Sequence, residues 1–158
     1  MPVTLQTMTA GWVAPRRVSN VSFTDAEIEF LRSQRLGRLA TIAPDGVPQN
    51  NPVGFKVDEE AGTIDIGGWN MGKSQKFRNV EANPQVAFVV DDLASIKPWK
   101  PRGVQIRGTA EALSNQSAGD PKEGDGLIRI HPRRVLSWGL GAAGNEGSRR
   151  IFLAKSTE

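Results

Sequence analysis

The sequence predicts a mainly β protein: one antiparallel barrel of about six strands with only two short helices. Three observations lead there. Short β-like runs recur between turn-forming Pro, Asp, Asn and Gly from residue 38 to residue 140. Only two segments carry helical spacing, too few to give each strand pair the crossover that a parallel sheet needs. A chain of 158 residues, 38% of them hydrophobic, fits a single core.

The elements follow in order. Residues 1–22 hold Gly11, Pro15 and the pair Arg16-Arg17 without periodicity, and are read as an N-terminal arm. Thr24 with Glu27 three residues later is a capping-box signature, and Ile28 and Leu31 give an apolar edge to a helix ending near Arg35. Residues 38–43, the turn Pro44-Asp45-Gly46 and residues 48–57 predict a hairpin. After a polar turn at 58–62, Thr63, Ile64, Asp65 and Ile66 form a third strand running into Gly67-Gly68.

Residues 73–83 suit a crossover helix buried through Phe77 and Val80 and stopped by Asn83-Pro84. The apolar strand 85–90 comes next, then a loop over 91–101 and a long strand over 102–113. A Gly-rich loop over 114–126 leads to strand character over 127–140, and residues 141–158 are read as a tail rich in glycine. No internal repeat or second core is visible.

Composition removes several chemistries. Cysteine is absent, which excludes disulfides, thiolate nucleophiles and cysteine metal sites, and the single histidine, His131, cannot build a histidine cluster, so no metal site is expected. No apolar run approaches the roughly 20 residues of a membrane span, and residues 1–20 lack a signal peptide's apolar centre, so a cytoplasmic location and no membrane partner are expected. The net charge of +3 is small and scattered, favouring a phosphorylated small molecule over nucleic acid as the anionic partner.

The sharpest local feature is Gly72-Lys73-Ser74-Gln75-Lys76-Phe77-Arg78. A helix start carries positive partial charge and unpaired N–H groups, so Lys73 and Lys76 are unfavourable there unless an anion such as phosphate offsets them; otherwise they are solvated surface lysines. Asn50-Asn51-Pro52-Val53 lies in a predicted strand although Asn is depleted in strands and Pro cannot donate. Either this edge faces a flat ring that the amides orient, or it is a bulge.

Trp69, Asn70 and Met71 lie beside the lysines, as a substrate wall or as a plug over the barrel end. Trp99, Arg102 and Trp138 frame a pocket or a dimer seam, or pack in the core. His131 shows no carboxylate partner in sequence and reads as structural rather than as a general base.

Taken together, Leu39-Ala40-Thr41 with Asp45-Gly46-Val47-Pro48-Gln49-Asn50-Asn51-Pro52-Val53, and Lys73-Ser74-Gln75-Lys76-Phe77-Arg78-Asn79-Val80 with Asn83-Pro84-Gln85-Val86-Ala87, resemble the pyridoxamine 5'-phosphate oxidase superfamily. Pro98-Trp99-Lys100-Pro101-Arg102-Gly103-Val104 and the run from Ile128 to Leu140 are similar to its deazaflavin (coenzyme F-420)-dependent branch, which includes tetracycline-biosynthesis reductases.

The resemblance implies an FMN-binding type of split barrel over residues 23–140, paired as a homodimer with cofactor at the interface. It carries the ring onto Asn50, Asn51, Pro52 and Val53 and the phosphate onto Lys73 and Lys76, with Trp69, Asn70, Met71, Trp99, Arg102 and Trp138 around them. The implied activity is hydride transfer from reduced coenzyme F-420 to an electron-poor C=C or C=N bond of a small organic substrate. FMN in the same fold, or a non-catalytic flavin, deazaflavin or haem carrier, are the alternatives. The fuller substrate motif of vitamin B6 oxidation is missing.

Overall fold

The computed structural model describes residues 23–116, 125–141 and 149–150. The arm at 1–22, residues 117–124 of the Gly-rich loop and most of the tail lie outside the described residues.

The first helix, α1 (Asp25–Ser33), starts as the sequence requires: Thr24 Oγ1 accepts from the Glu27 backbone at 3.3 Å, and Glu27 Oε2 accepts from the Thr24 backbone at 3.0 Å. Both halves of the capping box satisfy otherwise unpaired N–H groups. Eight strands follow in the described residues: β1 (Leu36–Ile42), β2 (Pro48–Gly54), β3 (Lys56–Asp58), β4 (Thr63–Ile66), β5 (Gln85–Ser95), β6 (Lys100–Leu113), β7 (Leu127–Trp138) and β8 (Arg149–Arg150). Helix α2 (Gln75–Ala82) sits between β4 and β5, preceded by a 3-10 turn at Met71–Lys73. The predicted helix at 73–83 is shortened because Ser74 is its N-cap, its side chain accepting from the Phe77 backbone.

All strand pairs are antiparallel, in the order β2-β1-β5-β6-β7-β4-β3, with β8 added to β7. The two ends of that order, β2 and β3, are consecutive in the chain and separated by Phe55 alone. The segment predicted as one strand over 48–57 therefore pairs with β1 through its first half and with β4 through its second. The sheet curls until the chain itself joins its edges, giving the split barrel.

Alternation along the strands fills the interior. Leu39, Val53, Ile64, Ile66, Phe88, Val90, Val104, Ile106, Ile128, Ile130 and Val135 face one core, with Phe30 and Leu31 from α1 and Phe77 and Val80 from α2. Two glycines make room for aromatic rings: a Cβ at Gly37 would lie 2.2 Å from Phe88 Cζ, and one at Gly103 would lie 2.2 Å from Trp138 Cζ2. Close ring-over-glycine packing of this kind pins strand register.

The predicted loop over 91–101 is largely strand. Strand β5 runs on to Ser95 and β6 begins at Lys100, because Asp92 and Arg102 are register partners and form a two-point ion pair, at 2.8 Å through Arg102 Nε and 2.6 Å through Nη2. The opposite flank carries a row of alternating charge, Lys56, Asp65, Arg129 and Glu111, read straight across β3, β4, β7 and β6. Arg129 grips Asp65 with two bonds of 2.8 Å.

A buried amide fastens α2 to the sheet. Asn79 is fully buried; its Nδ2 donates to Thr41 Oγ1 at 3.0 Å and Gln49 Oε1 at 2.9 Å, and its Oδ1 accepts from Gln75 Nε2 at 2.8 Å. Replacing Asn79 by Ala leaves the buried Thr41 hydroxyl and the half-buried Gln49 amide short of a partner, a loss of about 1–3 kcal/mol on the usual scale for orphaned polar groups. The urea midpoint of the full chain is expected to fall accordingly; an unchanged midpoint would show that the network is not holding α2.

Candidate functional site

The turn that presents the lysines is built by close backbone approach. Strand β4 ends at Gly67-Gly68, and Gly68 at φ 154° and Asn70 at φ 51° redirect the chain into the 3-10 turn. The Gly72 N–H donates to the Asp125 carbonyl at 3.1 Å. A Cβ on Gly72 would lie 2.8 Å from that oxygen, and one on Gly126 would lie 2.5 Å from the Gly72 nitrogen. Neither position tolerates a side chain, so the turn is locked against the start of β7.

Around this lock the predicted residues take different places. Lys73 is exposed, Lys76 is half-buried and Trp69 is 82% exposed, whereas Met71 is buried among the core side chains. No acidic residue occupies the first turn of α2. Arg78 turns back, Nη1 donating to the Lys73 carbonyl at 2.8 Å and Nη2 to Gln75 Oε1 at 2.9 Å. The helix start is therefore surrounded by cations and donors with no carboxylate of its own.

The β2 segment is regular, pairing with β1 without a shift from Leu36↔Gly54 to Ile42↔Pro48, so the bulge alternative does not apply. Pro48 and Pro52 fit because residues four apart in a strand point their nitrogens to the same side, here the side away from β1 where no donor is needed. Asn50 and Pro52 face outward and are exposed, while Asn51 and Val53 face inward. Three buried side-chain oxygens lack a partner among the described residues, Thr63 Oγ1, Ser137 Oγ and Asn51 Oδ1. The last lies on the strand where the sequence places a ring, two residues from the Gln49 contact with α2. An unsatisfied buried oxygen costs about 1–3 kcal/mol, and Asn51 Oδ1 carries that cost on the inward face of β2, opposite Asn50 and Pro52.

Trp99, Arg102 and Trp138 stand apart from the Lys73 turn. Arg102 holds Asp92 and lies over the Phe30 ring at 5.2 Å, and Trp138 packs on Gly103. This group lies where β6 begins, whereas the Lys73 turn lies where β6 ends and β7 begins, its Gly72 bonded to Asp125. At about 3.3 Å per residue the two ends of β6, Lys100 and Leu113, are roughly 43 Å apart along the strand. Within one chain, the Lys73 turn and the Trp99, Arg102 and Trp138 group lie at opposite ends, and Asn50 and Pro52 lie between them, level with Arg107 and Gln105 of β6.

Sequence reasoning missed several features. His131 has a carboxylate partner, its Nε2 lying 2.7 Å from Glu111 Oε2, a pair that only the β6–β7 register reveals. Asn79, Thr41 and Gln49 carry the support of the α2 end, and the quoted motif contained them without distinguishing their role. A groove of about 460 Å³ is lined by Arg32, Arg35, Gly54, Phe55 and Lys56 and by none of the predicted site residues. Among the described residues no group of three or more His, Cys, Asp and Glu could hold a metal ion, and no helix is long and apolar enough to cross a membrane.

The sequence matches the family described as pyridoxamine 5'-phosphate oxidase over residues 23–139. A 5a,11a-dehydrotetracycline/5a,11a-dehydrooxytetracycline reductase of Streptomyces rimosus is 52% identical over 119 residues, covering 75% of this chain and 84% of the relative. Among solved structures, a conserved hypothetical protein of Mycobacterium tuberculosis superposes with a TM-score of 0.58 at 27% identity, over 78% of this chain and 89% of that one. A heme binding protein of Mycobacterium smegmatis has a TM-score of 0.59 at 18% identity, over 82% of this chain and 60% of that one, a likeness of fold alone.

The Asp92–Arg102 clamp makes an acid-limb prediction. The Arg102 hydrogen bonds hold the Asp92 carboxyl below its ordinary value of 3.8 against the opposing effect of burial, with help from Gln34. A carboxylate with a depressed folded pKa stabilises above its unfolded pKa, and that contribution is lost as pH falls through the folded value. Stability of the parent chain is therefore expected to drop more steeply below pH 3.8 than that of Asp92→Asn. Parallel acid-unfolding curves would show that the clamp contributes nothing.

Proposed function

The chain belongs to the pyridoxamine 5'-phosphate oxidase family, and we propose that within it the protein is a deazaflavin-dependent reductase acting on a flat, conjugated organic substrate. The observation that carries this reading is the 52% identity over 119 residues with a reductase of dehydrotetracyclines, which supports an oxidoreductase and a polycyclic natural-product intermediate as substrate class. The M. smegmatis neighbour adds nothing to the carrier alternative, being similar in fold only.

The residues fit such a cofactor. The α2 start, with Lys73 and Lys76 and no acid in its first turn, suits a phosphate: N–H groups and ammonium charge act on the same anion. Asn50, exposed on the outer face of β2, suits the polar edge of a ring, and Asn51 would support the strand from its inner face. Pro52 would line the same edge, Asn70 would present an amide beside Trp69, and Val53 and Met71 would support the site from the core behind it.

When bound and reduced, coenzyme F-420 supplies a hydride for an electron-poor C=C or C=N bond. The chain's own part is to hold the phosphate, orient the ring through its amides and exclude water with Trp69. Backbone and side-chain donors can also stabilise negative charge on a conjugated carbonyl. Solvent can provide the remaining proton, so no dedicated acid is assigned. FMN carries a similar ring and one phosphate and is the competing cofactor; a homodimer is the expected assembly.

Titration of the purified protein with coenzyme F-420 and with FMN, followed by fluorescence, tests the reading. Coenzyme F-420 is expected to bind the more tightly. Lys73→Ala and Lys76→Ala are each expected to weaken binding by about 1.5–3 kcal/mol, the usual value of a charge-assisted hydrogen bond. Tight FMN binding with no response to coenzyme F-420 would overturn the deazaflavin assignment, and unchanged affinity in both variants would return the lysines to the solvated surface.

A further inference from the structure

Where the chain passes from one edge of the sheet to the other, at Phe55, a groove of about 460 Å³ opens between the end of α1, the β2–β3 joint and the end of β4. Its size suits a small organic molecule. The groove exists because of what Gly54 lacks. A Cβ built there meets no atom within 4 Å, so a side chain at this position would project into free space. Phe55 supplies an apolar floor, half-buried and held edge-on against the Phe88 ring at 5.3 Å. Leu36, the register partner of Gly54, adds an apolar border and is 53% exposed.

Charge on the wall is uneven. The one acid, Asp65, has both oxygens held by Arg129. Arg32 is ion-paired with Glu59, Ser33 Oγ donates to the Phe30 carbonyl at 2.6 Å, and Gln34 Nε2 donates to Asp92. Arg35 is different: it is exposed, and its side chain has no hydrogen bond or ion pair among the described residues. It is the guanidinium of the wall with its full set of donors available, and Lys56 lines the same groove.

The position ties the groove to the candidate site. Gly54 continues the outward row of Asn50 and Pro52 along β2, about 7 Å beyond Pro52 at the usual strand rise. Gly67, on the opposite wall, begins the turn that carries Lys73, yet neither Lys73 nor Lys76 lines the groove. A planar anion with two coplanar oxygens fits this wall. A guanidinium donates to such a pair in parallel, and an apolar floor takes the flat carbon frame that bears it.

We propose that the groove seats the organic substrate, and that Arg35 selects a flat, conjugated acid, such as an enolised 1,3-dicarbonyl or an aromatic hydroxy acid, while Phe55 carries its frame. The proposal rests on the functional reading above for the occupant being the substrate; the anion site itself stands on the groove.

The test uses 1-hydroxy-2-naphthoate, a flat conjugated acid, titrated into the full chain and followed by backbone amide NMR. Saturable shifts are expected at Gly54, Phe55, Lys56 and Gly67. The uncharged 1-hydroxy-2-naphthamide is expected to bind about tenfold more weakly, and Arg35→Ala to lose about tenfold in naphthoate affinity, the scale of one charge-assisted hydrogen bond. Arg35→Lys keeps the charge without the fork and is expected to recover only part of the loss. Gly54→Leu, which fills the groove, is expected to abolish saturation. Unshifted core amides at Leu39 and Ile106 will show that each variant keeps its fold. Shifts confined to other residues, equal binding of the amide, or full affinity in Arg35→Ala would overturn the site. Coenzyme F-420 separates the two sources of an anion. Its affinity is expected to be the same in Arg35→Ala as in the parent, and naphthoate is expected to occupy the groove of the loaded chain. Displacement of naphthoate by coenzyme F-420 would give the groove to the cofactor and overturn its assignment to substrate. If the parent binds naphthoate in the groove but no coenzyme F-420, the functional reading fails and the anion site stands.

Discussion

The fold depends on one unbroken run of backbone belonging to both edges of the sheet. From Pro48 to Asp58 the chain pairs first with β1 and then with β4, so the barrel closes through its own covalent continuity. That closure sets which residues can face inward. It puts Gln49 within reach of Asn79 and turns Asn51 towards the interior while Asn50 looks outward. It also fixes the level at which β4 leaves the sheet, and hence where the Gly68–Gly72 turn meets the backbone of residues 125 and 126.

The local chemistry of the fold was legible in the sequence. The capping box at Thr24 and Glu27, the turn at Pro44-Asp45-Gly46 and the stop at Asn83 depend on residues within a few positions of one another, where spacing alone specifies the partner. The extension of β5 and β6 was not legible, because Trp99 between two prolines reads as a loop until Asp92 and Arg102 are known to face each other across the hairpin. The Arg129–Asp65 pair spans 64 positions and the His131–Glu111 pair 20. Such partners are fixed by strand register, which one sequence leaves open.

The candidate site was legible to a similar depth. Cations misplaced at a helix start are a local signal, and the structure surrounds that start with donors and no acid. Chain order, by contrast, could not show that Trp99, Arg102 and Trp138 lie at the other end of the barrel. Nor could it show that two of them already have structural work: Arg102 braces the hairpin and Trp138 packs on Gly103.

The ring-over-glycine contacts at Gly37 with Phe88 and Gly103 with Trp138 also restrict how this sequence can change over generations. Neither glycine can gain a methyl group while its ring remains, and loss of either ring leaves a void that a lone glycine cannot fill. Each pair can therefore drift only jointly, through an intermediate less fit than either end. The exposed side chains of Trp69 and Lys73 face no such ring-over-glycine constraint. In this barrel, binding preferences are free to diversify one substitution at a time while the strand register beneath them is held by paired positions.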